Sequence, residues 1–185
     1  PISSSAHLIV LPWLFGWGER MLNSLTFDVS LHLGTLIAVL SYFAADWLRL
    51  IKAGLASIAE RRIGRDPDRR MAWFLIIGTI PGGVAGLLAE STIEALFHRP
   101  GVPVAAASMT MLAVILALLG AFLLLAERLA GHLRTMDQLS LKDVLLIGLA
   151  QALAIFPGVS RSGATITAGL ALGLKREAAA RFSFL

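Results

Sequence analysis

The sequence has 185 residues, of which 57% are hydrophobic and 15% are charged, and it contains no cysteine. Soluble globular domains carry about 25% charged and about 45–50% apolar residues, so this composition excludes a soluble domain, a disordered chain and a disulfide-stabilised secreted module. The net charge of +4 comes from basic residues between apolar blocks, a pattern that indicates contact with a membrane surface rather than with nucleic acid.

Three apolar segments are long enough to cross a bilayer, which requires about 20 residues per helix. They comprise residues 27–45, 71–89 and 102–126. The connecting stretches alternate in charge: residues 49–70 hold seven Arg or Lys, residues 90–101 hold one, and residues 127–142 hold three. The positive-inside rule therefore predicts that the first and third stretches are cytoplasmic loops and that the middle one is external.

The segment after Lys142 does not fit a simple span. Its apolar pieces, residues 143–156 and 164–174, are each too short to cross, and the polar turn PGVSRSG separates them. Because basic residues flank both ends, we expect a re-entrant hairpin that enters and leaves on the cytoplasmic side; one long kinked span is the alternative. A polar turn at membrane depth requires burial in protein or a watery cavity.

The start of the chain has a similar pattern, a polar turn at residues 1–7 followed by a short apolar stretch at residues 8–15. Loop parity places this segment on the external side, so we expect it to be half of a second, opposed hairpin. Opposed hairpins are typical of inverted-topology repeats with a binding site near the midplane. The sequence thus predicts an all-α polytopic membrane protein built as an inverted-topology repeat with re-entrant helical hairpins. Because the chain lacks an initiator Met and ends inside an apolar run, we expect residues 1–185 to be one membrane domain truncated at both ends.

Arg161 dominates the second polar turn, because an arginine at membrane depth is costly and usually functional. Its planar guanidinium suits bidentate contact with phosphate, glycines allow a tight turn close to a ligand, and a helix that begins there presents N–H groups to an anion. The residues expected to complete a phosphate site are Gly158, Ser160, Ser162, Gly163, Thr165 and Thr167. The alternative is that Arg161 reaches the membrane surface or pairs with a carboxylate, while the hydroxyls bond to neighbouring helices.

The first polar turn offers groups for proton transfer and attack. A histidine such as His7 can act as a general acid or base, and a nearby serine can be a nucleophile. Ser4 is the serine expected to act in catalysis, and Ser3 and Ser5 are expected to bind the phosphate. With a phosphate site on the other hairpin, this pattern predicts phosphoryl transfer.

Asp28 and His32 lie one helical turn apart at the outer end of the first span. They either face the site or belong to a helix start that Thr26 caps with Asp28 in its first turn.

Four segments, PISSSAHLIV, FDVSLHLGTLIAV, GTIPGGVAGLL and AQALAIFPGVSRSGATIT, resemble in this order the bacterial undecaprenyl-pyrophosphate phosphatases, a family linked to bacitracin resistance. The resemblance implies hydrolysis of undecaprenyl pyrophosphate to undecaprenyl phosphate and inorganic phosphate, which recycles the lipid carrier for cell-wall synthesis. It also implies an inner-membrane protein with inverted repeats, two re-entrant hairpins, a site open to the periplasm and dependence on a divalent cation, Mg or Ca. The partners implied are the lipid substrate and the bilayer, with no nucleic acid; whether the protein is a homo-oligomer stays open.

The resemblance also assigns residues. Ser4, His7, Ser160, Arg161 and Thr165 match catalytic positions of the family, in which a serine of the first turn has been proposed as nucleophile, assisted by the histidine, with the arginine on the pyrophosphate. Ala6 stands where the family usually has glycine. The family's glutamate-rich motif, expected to help with the metal or the proton, precedes the position of Pro1, so an active protein is expected to need residues outside this sequence.

Two other functions share part of this pattern. A transporter or flippase for the lipid phosphate would also have opposed hairpins and a midplane anion site. A type-2 phosphatidic acid phosphatase would need a histidine where this sequence has Thr167 and a lysine where it has Thr92.

Overall fold

The computed structural model describes residues 3–18, 24–97, 106–156 and 158–185. Within these ranges the chain folds into eight α-helices and two 3₁₀ turns, with no β-strand. The helices are α1 (Ser4–Phe15), α2 (Leu25–Tyr42), α3 (Ala44–Ala59), α4 (Pro67–Phe97), α5 (Ala106–Leu129), α6 (Leu141–Ala152), α7 (Arg161–Ala171) and α8 (Arg176–Phe184); the 3₁₀ turns are Met136–Gln138 and Leu153–Ile155. The prediction of an all-α fold is confirmed.

Among the described residues, two helices are long and apolar enough to cross a bilayer, over Pro67–Leu88 in α4 and Met109–Leu129 in α5, and the bent pair of α2 and α3 would make a third span if it crosses as one. The spans in α4 and α5 correspond to the predicted spans at residues 71–89 and 102–126, of which residues 102–105 lie outside the described chain. Their apolar side chains are largely exposed; Leu87, for example, is 87% exposed. Lipid is the solvent that such surfaces require, and the protein is a multi-pass membrane protein.

The predicted span at residues 27–45 ends earlier than expected. Helix α2 stops at Tyr42, and α3 continues from it after a bend of 74°. A loop had been expected from residue 49 onward because of its basic residues, and that expectation is wrong for the part that forms α3. Leu48, Ile51 and Leu55 recur at helical spacing on an exposed face, a pattern typical of an amphipathic helix.

The described chain forms two compact units. The N-terminal unit comprises Ser4–Trp73 with Leu185, and the C-terminal unit comprises Phe74–Phe184 with Ser3. In the N-terminal unit, α3 packs on the start of α4: Trp73 Nε1 donates a hydrogen bond of 2.9 Å to the buried Ser57 Oγ.

In the C-terminal unit, α7 packs against α5, α6 and α8, and the side chains of Leu112, Val144 and Leu174 are fully buried. Helices α4 and α6 approach most closely at two glycines: a Cβ atom on Gly148 would lie 2.5 Å from the carbonyl oxygen of Gly78. Small residues are what allow membrane helices to come this close.

Serines cap three helices. Ser24, rather than the expected Thr26, caps α2 by accepting a hydrogen bond from the N–H of Phe27. Ser140 caps α6, and Ser160 caps α7. Helices α6 and α7 meet at a turn, as the hairpin pattern predicts; its re-entrant course, the inverted repeat, the membrane orientation and the single domain over residues 1–185 stay predictions. Pro1 and Pro157 lie outside the described residues.

Candidate functional site

The polar segment around Arg161 forms the start of α7. Ser160 is buried, and its Oγ accepts a hydrogen bond of 3.1 Å from the N–H of Gly163, while its carbonyl oxygen accepts one of 2.8 Å from the N–H of Ala164. These two bonds use the third and fourth N–H groups of the helix. The first two, those of Arg161 and Ser162, have no acceptor within the helix and lie at its positive end, where anions bind favourably.

The guanidinium of Arg161 is available at this helix start. Arg161 is exposed, and the part of the chain that the structure describes offers its side chain no hydrogen bond or ion pair. The alternative role as the partner of a carboxylate therefore has no counterpart among the described residues. An exposed guanidinium beside two helix N–H groups can hold a phosphate through charge and directed hydrogen bonds.

Gly158 and Gly163 are explained by packing against α5. Gly158 has a φ of +93°, and a Cβ atom there would lie 3.1 Å from Leu112 Cδ2. A Cβ atom on Gly163 would lie 3.0 Å from Leu119 Cδ2. Both glycines thus bring the start of α7 close to α5, a role distinct from the predicted close approach to a ligand.

The hydroxyl groups of this segment differ in availability. Thr165 is buried, and its Oγ1 donates to the carbonyl oxygen of Arg161 at 3.0 Å and lies 2.7 Å from Ser183 Oγ in α8. Thr167 Oγ1 donates to the carbonyl oxygen of Gly163. Ser162 is half-buried, with its Oγ 3.3 Å from Ser160 Oγ. Ser162 is the best placed of these hydroxyls to reach a ligand, whereas Thr165 ties α7 to α8.

The other motif also begins a helix. Ser4, Ser5 and His7 lie in the first turns of α1 rather than in a turn that precedes it. Ser3 is 3% exposed and Ala6 is fully buried, whereas Ser4 and His7 are exposed. Since residues three positions apart share a helix face, Ser4 and His7 lie on the same side of α1.

Ser4 forms a hydrogen bond with α2 in the N-terminal unit. Its Oγ lies 2.9 Å from His32 Nε2, and His32 Nδ1 lies 2.7 Å from the carbonyl oxygen of Asp28. His32 thus contacts a candidate site residue, as the first interpretation expects, whereas Asp28 lies in the first turn of a capped helix, as the second expects, with Ser24 in place of Thr26 as the cap. A histidine one turn after an aspartate in an apolar helix is a signal that the sequence contains, but no pattern in it indicates Ser4 as the partner of His32.

Comparison with known proteins identifies the family. The family described as "Bacitracin resistance protein BacA" matches residues 1–185. The chain belongs to this family. It is 51% identical to an undecaprenyl-diphosphatase of Thermomicrobium roseum, 48% to one of Pelotomaculum thermopropionicum and 47% to one of Moorella thermoacetica, each over all 185 residues. These alignments cover 65%, 63% and 64% of the respective relatives, so the chain spans a little under two thirds of their length.

Metal-binding residues were expected outside this sequence. Within the described residues, no group of three or more His, Cys, Asp or Glu side chains is placed to hold a metal ion. The described residues therefore do not fit a divalent cation by themselves.

Proposed function

We propose that this member of the BacA family belongs to a membrane phosphatase that hydrolyses undecaprenyl pyrophosphate to undecaprenyl phosphate and inorganic phosphate. The observation that carries the proposal is the exposed Arg161 at the first position of α7, where the first two N–H groups have no acceptor within the helix. A guanidinium and helix N–H groups are suited to bind the negatively charged oxygens of a pyrophosphate. The names of the relatives supply the lipid, since three of them, at 47–51% identity, are called undecaprenyl-diphosphatase.

The reaction breaks the bond between the terminal phosphorus and the bridging oxygen. The bridging oxygen leaves with undecaprenyl phosphate, and one water molecule supplies the oxygen and protons that complete inorganic phosphate. Arg161 binds the pyrophosphate and offsets the charge on its non-bridging oxygens, which is the main catalytic contribution in phosphoryl transfer. Ser162 and the helix N–H groups add hydrogen bonds.

The residues of α1 serve the nucleophile in this proposal. Ser4 supplies or orients the attacking oxygen, and His7 accepts the proton released on attack and donates one to the leaving group. Acid quenching of a reaction with substrate labelled in its terminal phosphate distinguishes these two roles of Ser4. Labelled phosphoserine that disappears in Ser4→Ala identifies Ser4 Oγ as the nucleophile, and its absence identifies water.

The wider setting is part of the same proposal. The protein resides in the bacterial inner membrane with its site facing the periplasm, where undecaprenyl pyrophosphate is recycled for cell-wall synthesis. A divalent cation, Mg²⁺ or Ca²⁺, is required, and its ligands lie beyond the described residues. Chelation with EDTA is expected to abolish phosphate release by the full-length protein, and Mg²⁺ or Ca²⁺ is expected to restore it.

The test is release of inorganic phosphate from undecaprenyl pyrophosphate by the purified full-length protein in detergent, where transport cannot be observed. Arg161→Lys is expected to lower the rate at least about tenfold, because lysine cannot form the bidentate contact. His7→Ala is expected to lower it as well. The matched control is Arg128→Lys, the same change at an exposed arginine in the last turn of α5.

Near-normal rates in both Arg161→Lys and His7→Ala would refute the assigned roles. No phosphate release by the wild-type protein would refute hydrolysis itself and leave transport of the lipid phosphate as the function to test.

A further inference from the structure

His32 has a defined protonation pattern because of its two hydrogen bonds. Nδ1 lies 2.7 Å from the carbonyl oxygen of Asp28, and Nε2 lies 2.9 Å from Ser4 Oγ. A carbonyl oxygen can only accept a hydrogen bond, so Nδ1 carries the proton of the neutral ring. The lone pair of Nε2 therefore points at Ser4, and the Ser4 hydroxyl donates its hydrogen to His32.

Two hydroxyl groups of α2, those of Ser30 and Thr35, bond within their own helix. Ser30 Oγ donates to the carbonyl oxygen of Thr26 at 2.7 Å, and Thr35 Oγ1 donates to that of Leu31 at 3.0 Å. This is the usual arrangement for hydroxyl groups in an apolar helix. His32, by contrast, uses one ring nitrogen within α2 and directs the other at α1, toward a residue 28 positions earlier in the chain.

The hydrogen bond sets the orientation of Ser4 Oγ. When the hydroxyl hydrogen points at Nε2, both lone pairs of Oγ point elsewhere and are free to face a phosphorus atom or an attacking water molecule. Both side chains are exposed, so a headgroup can reach Oγ without displacing the histidine. The hydrogen bond from Nδ1 to the backbone carbonyl oxygen of Asp28 fixes the ring. The carboxylate of a catalytic triad holds its histidine in a similar way.

We propose that His32 is a positioning residue for Ser4: it accepts the Ser4 hydroxyl hydrogen and holds Oγ in the orientation that the reaction needs. This inference rests on the proposed phosphatase function. In this role His32 leaves an Oγ lone pair free to accept a hydrogen bond from the attacking water molecule, whose released proton goes to His7. If Ser4 Oγ itself attacks, its hydroxyl proton goes to Nε2 of His32, and His7 acts only on the leaving group.

Two substitutions of similar polarity distinguish the ring nitrogens. The amide of His32→Gln reaches the position of Nε2 and can still accept from Ser4, whereas the shorter amide of His32→Asn reaches only the position of Nδ1. In the full-length protein, His32→Asn is expected to lower kcat about 10- to 100-fold, the usual effect of misplacing a reacting group, with KM within about twofold of wild type. His32→Gln is expected to recover most of kcat.

If His32 acts only by orienting Ser4, a substitution of His32 lowers the rate only when the Ser4 hydroxyl is present. In a Ser4→Ala background, His32→Asn is therefore expected to cause no further loss, which a double-mutant cycle measures. Thr35→Val is the matched control, since it removes a hydroxyl of α2 that donates to the Leu31 carbonyl oxygen within its own helix, and it is expected to keep the wild-type rate. Equal rates for His32→Asn and wild type, or a further loss in the Ser4→Ala background, would overturn the role of His32 alone. An inactive wild-type protein would overturn the proposed function on which that role depends.

A spectroscopic measurement tests the hydrogen bond without substrate. In the full-length protein labelled with ¹⁵N-histidine, the ring signals that disappear in His32→Gln belong to His32. They are expected to show a protonated Nδ1 and an unprotonated Nε2, and Ser4→Ala is expected to shift Nε2 more than Nδ1. A protonated Nε2 in the neutral ring, or no response to Ser4→Ala, would overturn the proposal.

Discussion

Replacing Arg134 by glutamine removes an ion pair at the start of α6, the first helix of the predicted second hairpin. Arg134 donates to both carboxylate oxygens of Asp143, at 3.2 and 2.6 Å. It also donates to the carbonyl oxygens of Gln138 and Leu172. The Arg134 side chain thus joins the 3₁₀ turn Met136–Gln138, the first turn of α6 and the end of α7. We expect its loss to weaken the packing of these three segments against one another.

The pKa of Asp143 gives the magnitude. The carboxyl side chain is only 9% exposed, yet hydrogen bonds from Arg134 and then from Ser140 outweigh the cost of burial and lower its pKa from 3.8 to about 2. At about 1.4 kcal/mol per pKa unit, the native interactions with the ionised carboxylate stabilise the fold by about 2 kcal/mol. Ser140 remains in Arg134→Gln, but the carboxylate then lacks its counter-ion in a nearly buried position, so we expect a loss of about 2 kcal/mol.

The assay is thermal unfolding of the full-length protein in detergent. For a chain of this size, about 2 kcal/mol corresponds to a fall in Tm of about 4–8 °C. Arg128→Gln, which removes an exposed arginine with no ion pair to a described residue, is the control and is expected to change Tm by less than about 1 °C.

The stabilisation that Asp143 provides decreases at low pH. Because the pKa of Asp143 is lower in the folded protein, its contribution is complete above pH 4 and is lost as the pH falls from about 4 to about 2. The difference in Tm between wild type and Arg134→Gln should therefore shrink over this range. Equal Tm values at pH 7, or a difference that is unchanged at pH 2.5, would refute the reasoning.

Two further substitutions test the packing of each unit. Gly148→Ala places a methyl group 2.5 Å from the carbonyl oxygen of Gly78 and is expected to lower Tm by more than Arg134→Gln does. The control is Gly86→Ala, which has open space at its Cβ position and should leave Tm unchanged or raised. Equal effects of the two alanine substitutions would contradict the close approach of α4 and α6. Ser57→Ala leaves the indole N–H of Trp73 without its acceptor and is expected to cost about 1–3 kcal/mol; thermal unfolding that matches wild type would show that this bond does not stabilise the unit.

Hydropathy predicted the spans of α4 and α5 well, because lipid-facing helices need long apolar runs regardless of their neighbours. It failed for α3, in which basic residues had indicated a loop. The apolar positions Leu48, Ile51, Leu55 and Ile58 are spaced for a helix, but the charged residues among them lower the mean hydropathy. Only periodicity, not composition, could have predicted α3.

The sequence predicts which residues belong to the site, but not which residues they form hydrogen bonds with. Arg161 is expected at a phosphate site, and the structure leaves it exposed at the first position of α7. The contact of Ser4 with His32 joins positions 28 residues apart, which no local pattern specifies. Thr165 was expected to contact phosphate, but tertiary packing directs its hydroxyl to Ser183.

Arg134 was interpreted as a determinant of topology because it is basic and lies between apolar segments. Its pairing with Asp143 depends on the fold of the 3₁₀ turn between them, so the sequence alone could not show whether this arginine orients the protein, stabilises it or does both.

The most direct test of the central claim is the product balance for undecaprenyl pyrophosphate in detergent, measured with the full-length protein and with Arg161→Lys. The account predicts one undecaprenyl phosphate and one inorganic phosphate per substrate consumed, formed at least about tenfold more slowly by Arg161→Lys. Absence of the monophosphate lipid, or equal rates for the two proteins, would contradict it.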